Sequence, residues 1–372
     1  MKNKIVTALA GSLFGLGLAS ASVAQTTVSG NLDLAYHAVS SNAVGSSTLG
    51  GGSYRAIGRE TQINIANKGK LSNGMEYAAG FSWELEGGET LGGTGSDDSA
   101  NAANENVYID FFYNKDSYVS VSNDHVPNSD VTFTNLVGWG YLGGQGIGGK
   151  GSIYPTSLNT SGYGIGISHN VGPMRLSGTF VPNPEKNGAG TNDTGHTLTN
   201  AADTSTNSKV ELTARGDLGV KGLDLMLGIA RQDKPSSNAT INATAKDPNG
   251  KRASIKYNAG DITVAADYIR TEGNNVTTGT AAATDQADVE LTGKSIGIAY
   301  AINKDLSIGY TRSVADASSR VAVDEKVNHY AIGYNLGAVT AQIQYRDAEG
   351  VAGSSGAEGE GDIIAVKLST RF

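Results

Sequence analysis

Apolar and polar residues alternate along most of the chain beyond residue 25, with almost no helical period. Sixteen alternating segments can be marked, near 26–38, 55–68, 74–86, 105–114, 116–126, 160–171, 173–182, 208–219, 222–233, 250–258, 261–271, 291–302, 305–316, 326–336, 338–347 and 362–372. Each is a predicted β-strand with two unlike faces. GMEYAAGFSWEL puts Met75, Tyr77, Ala79, Phe81, Trp83 and Leu85 on one side. KGLDLMLGIA does the same with Leu223, Leu225, Leu227 and Ile229, and GKSIGIAYAI with Ile296, Ile298, Tyr300 and Ile302. The last segment, DIIAVKLSTRF, alternates to the final residue, with Ile364, Val366, Leu368, Thr370 and Phe372 opposing Ala365, Lys367, Ser369 and Arg371.

The connections alternate too. After even-numbered segments they are tight Asn/Gly/Asp turns, such as NKDS at 114–117, NVGP at 170–173, NAGD at 258–261 and LGAV at 336–339. NKGKLSNG at 67–74 is slightly longer. After odd-numbered segments they are long and rich in Gly, Ser, Thr, Asn and Asp, as in GGETLGGTGSDDSANAAN at 87–104. This rhythm predicts an all-β, up-and-down antiparallel barrel of sixteen strands that crosses a membrane, with turns on one side and loops on the other. An even strand number puts both chain ends on the turn side. A strand that alternates to its last residue needs a partner along its whole length. TTVSGNLDLAYHA, with Val28, Leu32, Leu34 and Tyr36 on one face, can supply it and close the barrel.

Aromatic residues group at the strand ends. Tyr113, Tyr118, Tyr257, Tyr300, Tyr334 and Phe372 lie near tight turns, and Tyr36, Trp83, Tyr268, Tyr310 and Tyr345 near long loops. Two such levels mark two membrane–water interfaces. Tyrosine is also common in any sheet, but that preference does not explain grouping at strand ends.

Composition changes the picture in three places. The mean hydropathy of −0.24 describes an average that alternation hides. MKNKIVTALAGSLFGLGLASASVAQ has a basic start at Lys2 and Lys4, an apolar run from Ile5 to about Ala19, and a small-x-small site at Ser22-Val23-Ala24. It reads as a secretory signal peptide over 1–24, cleaved to leave the barrel domain 25–372. An uncleaved anchor helix is the alternative, but the run falls short of the ~20 residues a spanning helix needs. Without Lys2 and Lys4 the chain holds 26 basic and 36 acidic residues, a net charge of −10. An acidic chain with no basic stripe does not suit nucleic acid. The absence of cysteine excludes disulfides, thiolate metal sites and thiol nucleophiles.

Charges of both signs fall opposite the apolar faces. Asp33, His37, Glu60, Glu76, Glu84, Asp110, Glu211, Asp267 and His329 do so, together with Lys209, Arg215, Arg252, Lys256, Arg346, Lys367 and Arg371. Neither lipid nor a dry core accommodates such a mixture, since Lys or Arg costs ~2–4 kcal/mol at the membrane midplane. Water must wet this face, and sixteen strands enclose enough room for it. The lining is mixed and mildly acidic, which predicts weak selectivity.

Three stretches carry a resemblance. The leader runs into TTVSGNLDLAYHA, ETQINIANKGKLSNGMEYAAGFSWELEG at 60–87 holds an L-x-N-G turn at Leu71, Asn73 and Gly74, and the chain ends in STRF. In this order, and with sixteen segments, the chain resembles the Gram-negative general porin family over nearly its whole length. The resemblance implies an outer-membrane location, a homotrimer, both termini in the periplasm and passive diffusion of small hydrophilic solutes and ions. It also implies a third long loop folded into the pore, and a terminal Phe372 read by the barrel-assembly machinery. That loop is about 127–159, with Asp124 just before it and Asp130, Phe133, Trp139, Tyr141, Lys150 and Tyr154 as constriction candidates. An acidic cluster facing an arginine ladder, as in better-known relatives, is not evident, and Gln62 stands where the family often has Arg. Arg59, close by, joins Asp33, Glu84, Asp110, Arg215, Arg252, Lys256, Arg346, Lys367 and Arg371 as a wall candidate.

Other chemistry is poorly supported. GQGIGGKG at 144–151 approaches a phosphate-binding loop, but Gly151 replaces the needed hydroxyl and Pro155 sits where the helix should run. The histidines at 37, 125, 169, 196 and 329 lack metal-ligand spacing. Asp97, Asp98 and the acidic stretch 347–362 read as solvated carboxylates rather than a calcium site. No nucleophile elbow or acid/base pair is present, so no enzyme activity, cofactor or metal is expected. Alternatives to a general channel are a solute-specific channel with Trp139, Tyr141 and Tyr154 as stacking groups, a closed-lumen surface barrel, and a secreted β-sandwich. The segment SGYGIGISHN, with Gly162, Gly164 and Gly166, could flatten a subunit contact or make room for the inward loop.

Overall fold

The computed structural model describes residues 24–41, 54–87, 101–123, 125–126, 131–137, 154–155, 158, 163–182, 208–233, 247, 249–272, 290–316, 323–351 and 359–372. The predicted leader lies outside the described residues except for Ala24.

Sixteen strands form, each close to its predicted segment. They are β1 (Gln25–Ser41), β2 (Tyr54–Lys70), β3 (Glu76–Gly87), β4 (Asn101–Asn114), β5 (Ser117–Asn123), β6 (Tyr163–Val171), β7 (Met174–Val181) and β8 (Lys209–Gly216). The second half holds β9 (Leu223–Gln232), β10 (Asn249–Ala259), β11 (Ile262–Glu272), β12 (Glu290–Ala301), β13 (Leu306–Asp316), β14 (Glu325–Asn335), β15 (Val339–Glu349) and β16 (Gly361–Arg371). Every strand pairs antiparallel with its sequence neighbours, and β16 pairs with β1, so the sheet is a closed barrel. Closure reaches the last residue: Phe372 N donates to Gly30 O at 3.0 Å, and Gly30 N donates to Phe372 O at 2.8 Å. A side chain at Gly30 would lie 2.3 Å from Gln62 O and against the Phe372 ring, so glycine lets the end of the chain seat there.

The tight turns use the chemistry of their residues. Gly260 (φ 71°) and Gly337 (φ 87°) take the left-handed conformation that glycine tolerates. Asn303 Oδ1 accepts from the Asp305 and Leu306 amides, both at 2.9 Å. β5 stops at Asn123, three residues short of its predicted end, because the chain there leaves the sheet.

The two faces separate as expected. Ile57, Trp83, Ile229, Ile296, Leu227 and Phe372 are exposed on the outside. Tyr257, Tyr300 and Tyr334 are exposed near the turns, and Tyr36 and Tyr345 near the loops. Tyr118 departs from this plan. It shares the inward face of β5 with Ser120 and Ser122, and its ring tilts against Phe112 at 5.3 Å. Arg59 departs in the other direction. Its register partner is outward Leu34, so it takes the parity of Ile57 and not that of the lumen wall. Proximity to Gln62 along the chain was the wrong guide there, because neighbours at an odd spacing point to opposite faces.

Face assignment has a direct consequence for stability. Leu227→Lys, on the outer face of β9, is expected to lose about 2–4 kcal/mol in urea unfolding from lipid vesicles, whereas Gln62→Lys, on the inner face of β2, changes stability by less than about 1 kcal/mol. Equal losses at the two positions would contradict the assignment.

Candidate functional site

The inner surface is where the functional side chains meet. Chain 131–137, in the loop that follows β5, lies against the inner wall of β9–β14, on the far side of the ring from β5 and β6. The third long loop therefore folds into the lumen and crosses it.

The attachment centres on Asp267 of β11, which is buried. Its Oδ2 accepts from the Phe133 amide (3.0 Å), the Thr134 amide (2.9 Å) and the Thr134 hydroxyl (2.9 Å). Oδ1 accepts from Arg252 Nη2 at 3.3 Å. Because the Thr134 hydroxyl has spent its proton on Asp267, Ser295 must donate in their 2.6 Å contact. Thr311 Oγ1 donates to Thr134 O at 2.7 Å, which completes the set. Three strands thus hold one threonine. A buried carboxylate without such partners would be costly; here three donors meet Oδ2 and the Arg252 guanidinium meets Oδ1.

Phe133 sits beside this anchor, packed with Met226 and Ala265. Arg215 Cζ and Lys256 Nζ lie 4.9 and 5.0 Å from its ring centroid. Asp224 accepts from Arg215 Nε at 3.1 Å and from Arg215 Nη2 at 2.7 Å, and lies 3.4 Å from Lys256. Tyr154 and Leu158 form a second contact with Ile269, Leu291 and Ala315. Burial pushes the Tyr154 phenol up to about 12. Near the root of the loop, His125 Nε2 meets Asp110 Oδ2 at 2.9 Å and its ring stacks on Tyr108 at 3.7 Å.

The wall is shaped for the loop. Added side chains would meet Thr134 O at 2.5 Å from Gly297, the Tyr154 ring at 2.9 Å from Gly293, Val137 at 2.9 Å from Gly309 and Leu158 at 2.5 Å from Gly250. At Gly166 a side chain would strike Val126 at 2.2 Å, so that glycine makes room for the loop as it leaves β5. Gly164 instead faces the backbone of Phe180, and Gly162 lies outside the described residues.

Phe133 and Tyr154 were predicted to line a constriction; the structure buries both against the wall, where neither ring face is open to a solute. Asp124, Asp130, Trp139, Tyr141 and Lys150 lie outside the described residues. The wall candidates fall into sectors. Asp33, Glu60, Glu84 and Asp110 point inward from β1–β4. Lys209, Arg215, Arg252 and Lys256 point inward from β8–β10, and Arg346, Lys367 and Arg371 from β15 and β16. In a ring of sixteen, β2 faces β10 across the lumen. The signs are therefore more separated than their order along the chain suggests. Local pairs soften the contrast: Lys367 reaches Asp33 at 2.5 Å, Glu211 and Asp224 sit within the basic sector, and Asp267 on adjoining β11 pairs with Arg252.

The inner face is also less polar than predicted. Met226, Ile269 and Leu291 point inward beneath the loop. Val39, Val327, Ala348, Val351, Ile363 and Ala365 form a further inward cluster near the loop ends of β1 and β14–β16. The signal for these was an apolar residue or a glycine in the polar register, as at Met226, Leu291 and Gly297. Among the described residues no group of acidic, histidine or cysteine side chains could hold a metal ion.

Removing the anchor tests its role. Asp267→Ala takes the carboxylate from buried Arg252 and two loop amides, and is expected to cost about 3–5 kcal/mol. Its single-channel current should be noisier than that of the parent, with Asp267→Asn intermediate. Unchanged noise and stability would mean that the loop is held elsewhere.

The comparisons follow this architecture. The family model for Gram-negative porin matches residues 6–358. No match was found among curated proteins. An anion-selective porin from Comamonas acidovorans is similar in structure, with a TM-score of 0.63 at 13% identity over 94% of this chain and 100% of that one. OmpF of Salmonella typhi, in complex with daunomycin, has a TM-score of 0.65 at 12% identity over 93% and 97%. A mutant of the Rh. blastica porin has 0.57 at 16% identity over 94% and 100%. At these identities the likeness shows the shared fold, and the family model covers the sequence almost from end to end. The chain belongs to the Gram-negative porin family, whose members form outer-membrane channels for passive diffusion.

Proposed function

We propose that this porin is a general channel for small hydrophilic solutes and ions, with loop 127–159 setting the size limit and the wall charges setting a weak ionic preference. The observation that carries the reading is the fastening of Phe133 and Thr134 to Asp267, which holds the loop across the lumen instead of leaving it outside. Transport follows the solute gradient, and no chemical step takes part. A solute-specific channel is less well supported. Tyr154, one of its three stacking groups, is packed into the wall. The same reading takes residues 1–24 as a cleaved export signal, places both termini in the periplasm, assembles the chain as a homotrimer and has Phe372 read during barrel assembly. The family supports these features, and the pairing of Phe372 with Gly30 puts both ends of the barrel domain together on the turn side.

Bilayer recording tests the channel. Current should be ohmic, and neutral sugars in increasing size should cross liposomes at falling rates without saturable block. Charge changes should move the reversal potential in opposite directions. Arg215→Gln with Lys256→Gln shifts it toward cations, and Glu60→Gln with Glu84→Gln toward anions, because each pair removes one sign from one sector. Saturable block by one solute would favour the specific channel, and failure of every solute to cross would favour a closed barrel.

A further inference from the structure

Two aromatic rings face the lumen near its turn-side mouth, away from the outer aromatic levels. Phe112 of β4 and Tyr118 of β5 are register partners, and their rings lie 5.3 Å apart. Both are half-buried and share the inward parity of Asp110 and Ser120. Ring surface left in water costs free energy that a stacked partner recovers.

The same row continues through Ser168 of β6 and Ser177 of β7, both buried. Two positions from Ser177 toward the turn stands Arg175, exposed and inward. At about 4.8 Å per strand, Tyr118 and Arg175 are on the order of 10 Å apart across the wall. The guanidinium is near enough to the Tyr118 hydroxyl for the two to interact electrostatically. Asn170 Oδ1 accepts from Arg175 Nε at 3.1 Å, which orients the side chain. Arg175 makes no other hydrogen bond and no ion pair among the described residues. Its two terminal nitrogens are left for a ligand, in the fork that matches a carboxylate.

The charges around Arg175 favour an anion. Arg215 is its register partner, so two bases stand directly opposite each other on adjacent strands, and like charges so placed repel. Asp224 accepts from Arg215 and lies 3.4 Å from Lys256, so two bases share it. Glu76, the register partner of Phe112, pairs with Lys70 at 3.6 Å, and Asp110 meets His125 at 2.9 Å. In the nearby turns, exposed Asp116 and Asp217 are matched by exposed Lys115 and Lys221, and Asp217 accepts from the Gly219 amide at 2.9 Å. The nearest inward acids are thus already engaged, and none of them engages Arg175.

A small inorganic anion would use Arg175 and leave the rings bare. A neutral ring compound would leave the guanidinium without a counter-charge. One solute class satisfies both groups. We propose that the turn-side mouth holds a subsite for small aromatic carboxylates, the carboxylate on the terminal nitrogens of Arg175 and the ring against Tyr118 and Phe112. The subsite rests on the open lumen of the channel reading and deepens it by naming a solute class that pauses there; neutral sugars do not use it.

The test is saturation-transfer NMR on the full barrel in detergent with benzoate, acetate and benzyl alcohol, each corrected for binding to empty micelles. Benzoate should bind roughly tenfold tighter or more than either of the others. Arg175→Gln should bring benzoate to the level of benzyl alcohol, with Arg175→Lys intermediate. Phe112→Thr with Tyr118→Thr should bring it to the level of acetate, and heat-dependent gel mobility reports that each variant is folded. Gln342→Ala, on the inward face of β15 across the lumen, should change nothing. KCl conductance of the same preparation tests the channel separately. A barrel that conducts but binds benzoate no better than acetate or benzyl alcohol overturns the subsite and leaves the channel reading standing. Full displacement of benzoate by equimolar inorganic phosphate, or an equal loss in Gln342→Ala, also overturns it.

Discussion

No backbone amide or carbonyl can go unpaired in hydrocarbon, and that constraint governs this protein. Within a sheet every strand needs two neighbours, so the sheet has to close. β1 and β16 close it, with bonds running to Phe372 itself. Once the ring is complete, the pleat sorts side chains without further instruction. One parity meets lipid and the other meets the enclosed space, so alternation in sequence becomes separation of solvents.

The enclosed space is then divided by a second set of bonds. A loop entering a water-filled lumen would gain little from resting there unless its backbone found partners. Asp267 supplies them for two consecutive amides and is itself neutralised by Arg252. Gly293, Gly297 and Gly309 let the loop approach the wall closely, and Met226, Ile269 and Leu291 give it an apolar bed. Bonds of this kind hold residues 131–137 inside the barrel, against the wall opposite β5. The cation contacts to Phe133 join that anchor to the basic sector, so the loop and the charges near it are positioned by the same strands.

The outside carries a parallel division of labour. Tyr310, Tyr330 and Tyr345 stand next to one another across β13–β15, with rings 5.0 and 6.2 Å apart. Tyr310 donates its hydroxyl to Asn328, two residues nearer the loops. Such an arrangement holds amphipathic rings at the boundary where lipid gives way to water.

The sequence by itself determined the strand number, the order of turns and loops, the closure of the ring and the sign of most inward charges. It could do so because a period of two is a local property, legible from residues two apart, and turn chemistry is local as well. Leu227, Ile296 and Lys367 were readable on those grounds alone. Arg59 and Tyr118 were misplaced where closeness along the chain or to a turn was given more weight than parity. Only the tertiary structure decided which strand faces which across the lumen, and therefore that the acids of β1–β4 face a sector, β8–β10, where four bases outnumber Glu211 and Asp224. Only it brought Thr134 to Asp267, 133 positions away in the chain, and so buried Phe133 and Tyr154 instead of leaving them in the passage. Those relations depend on the curvature of a closed ring and on one loop reaching across it, and no spacing within a single segment encodes either.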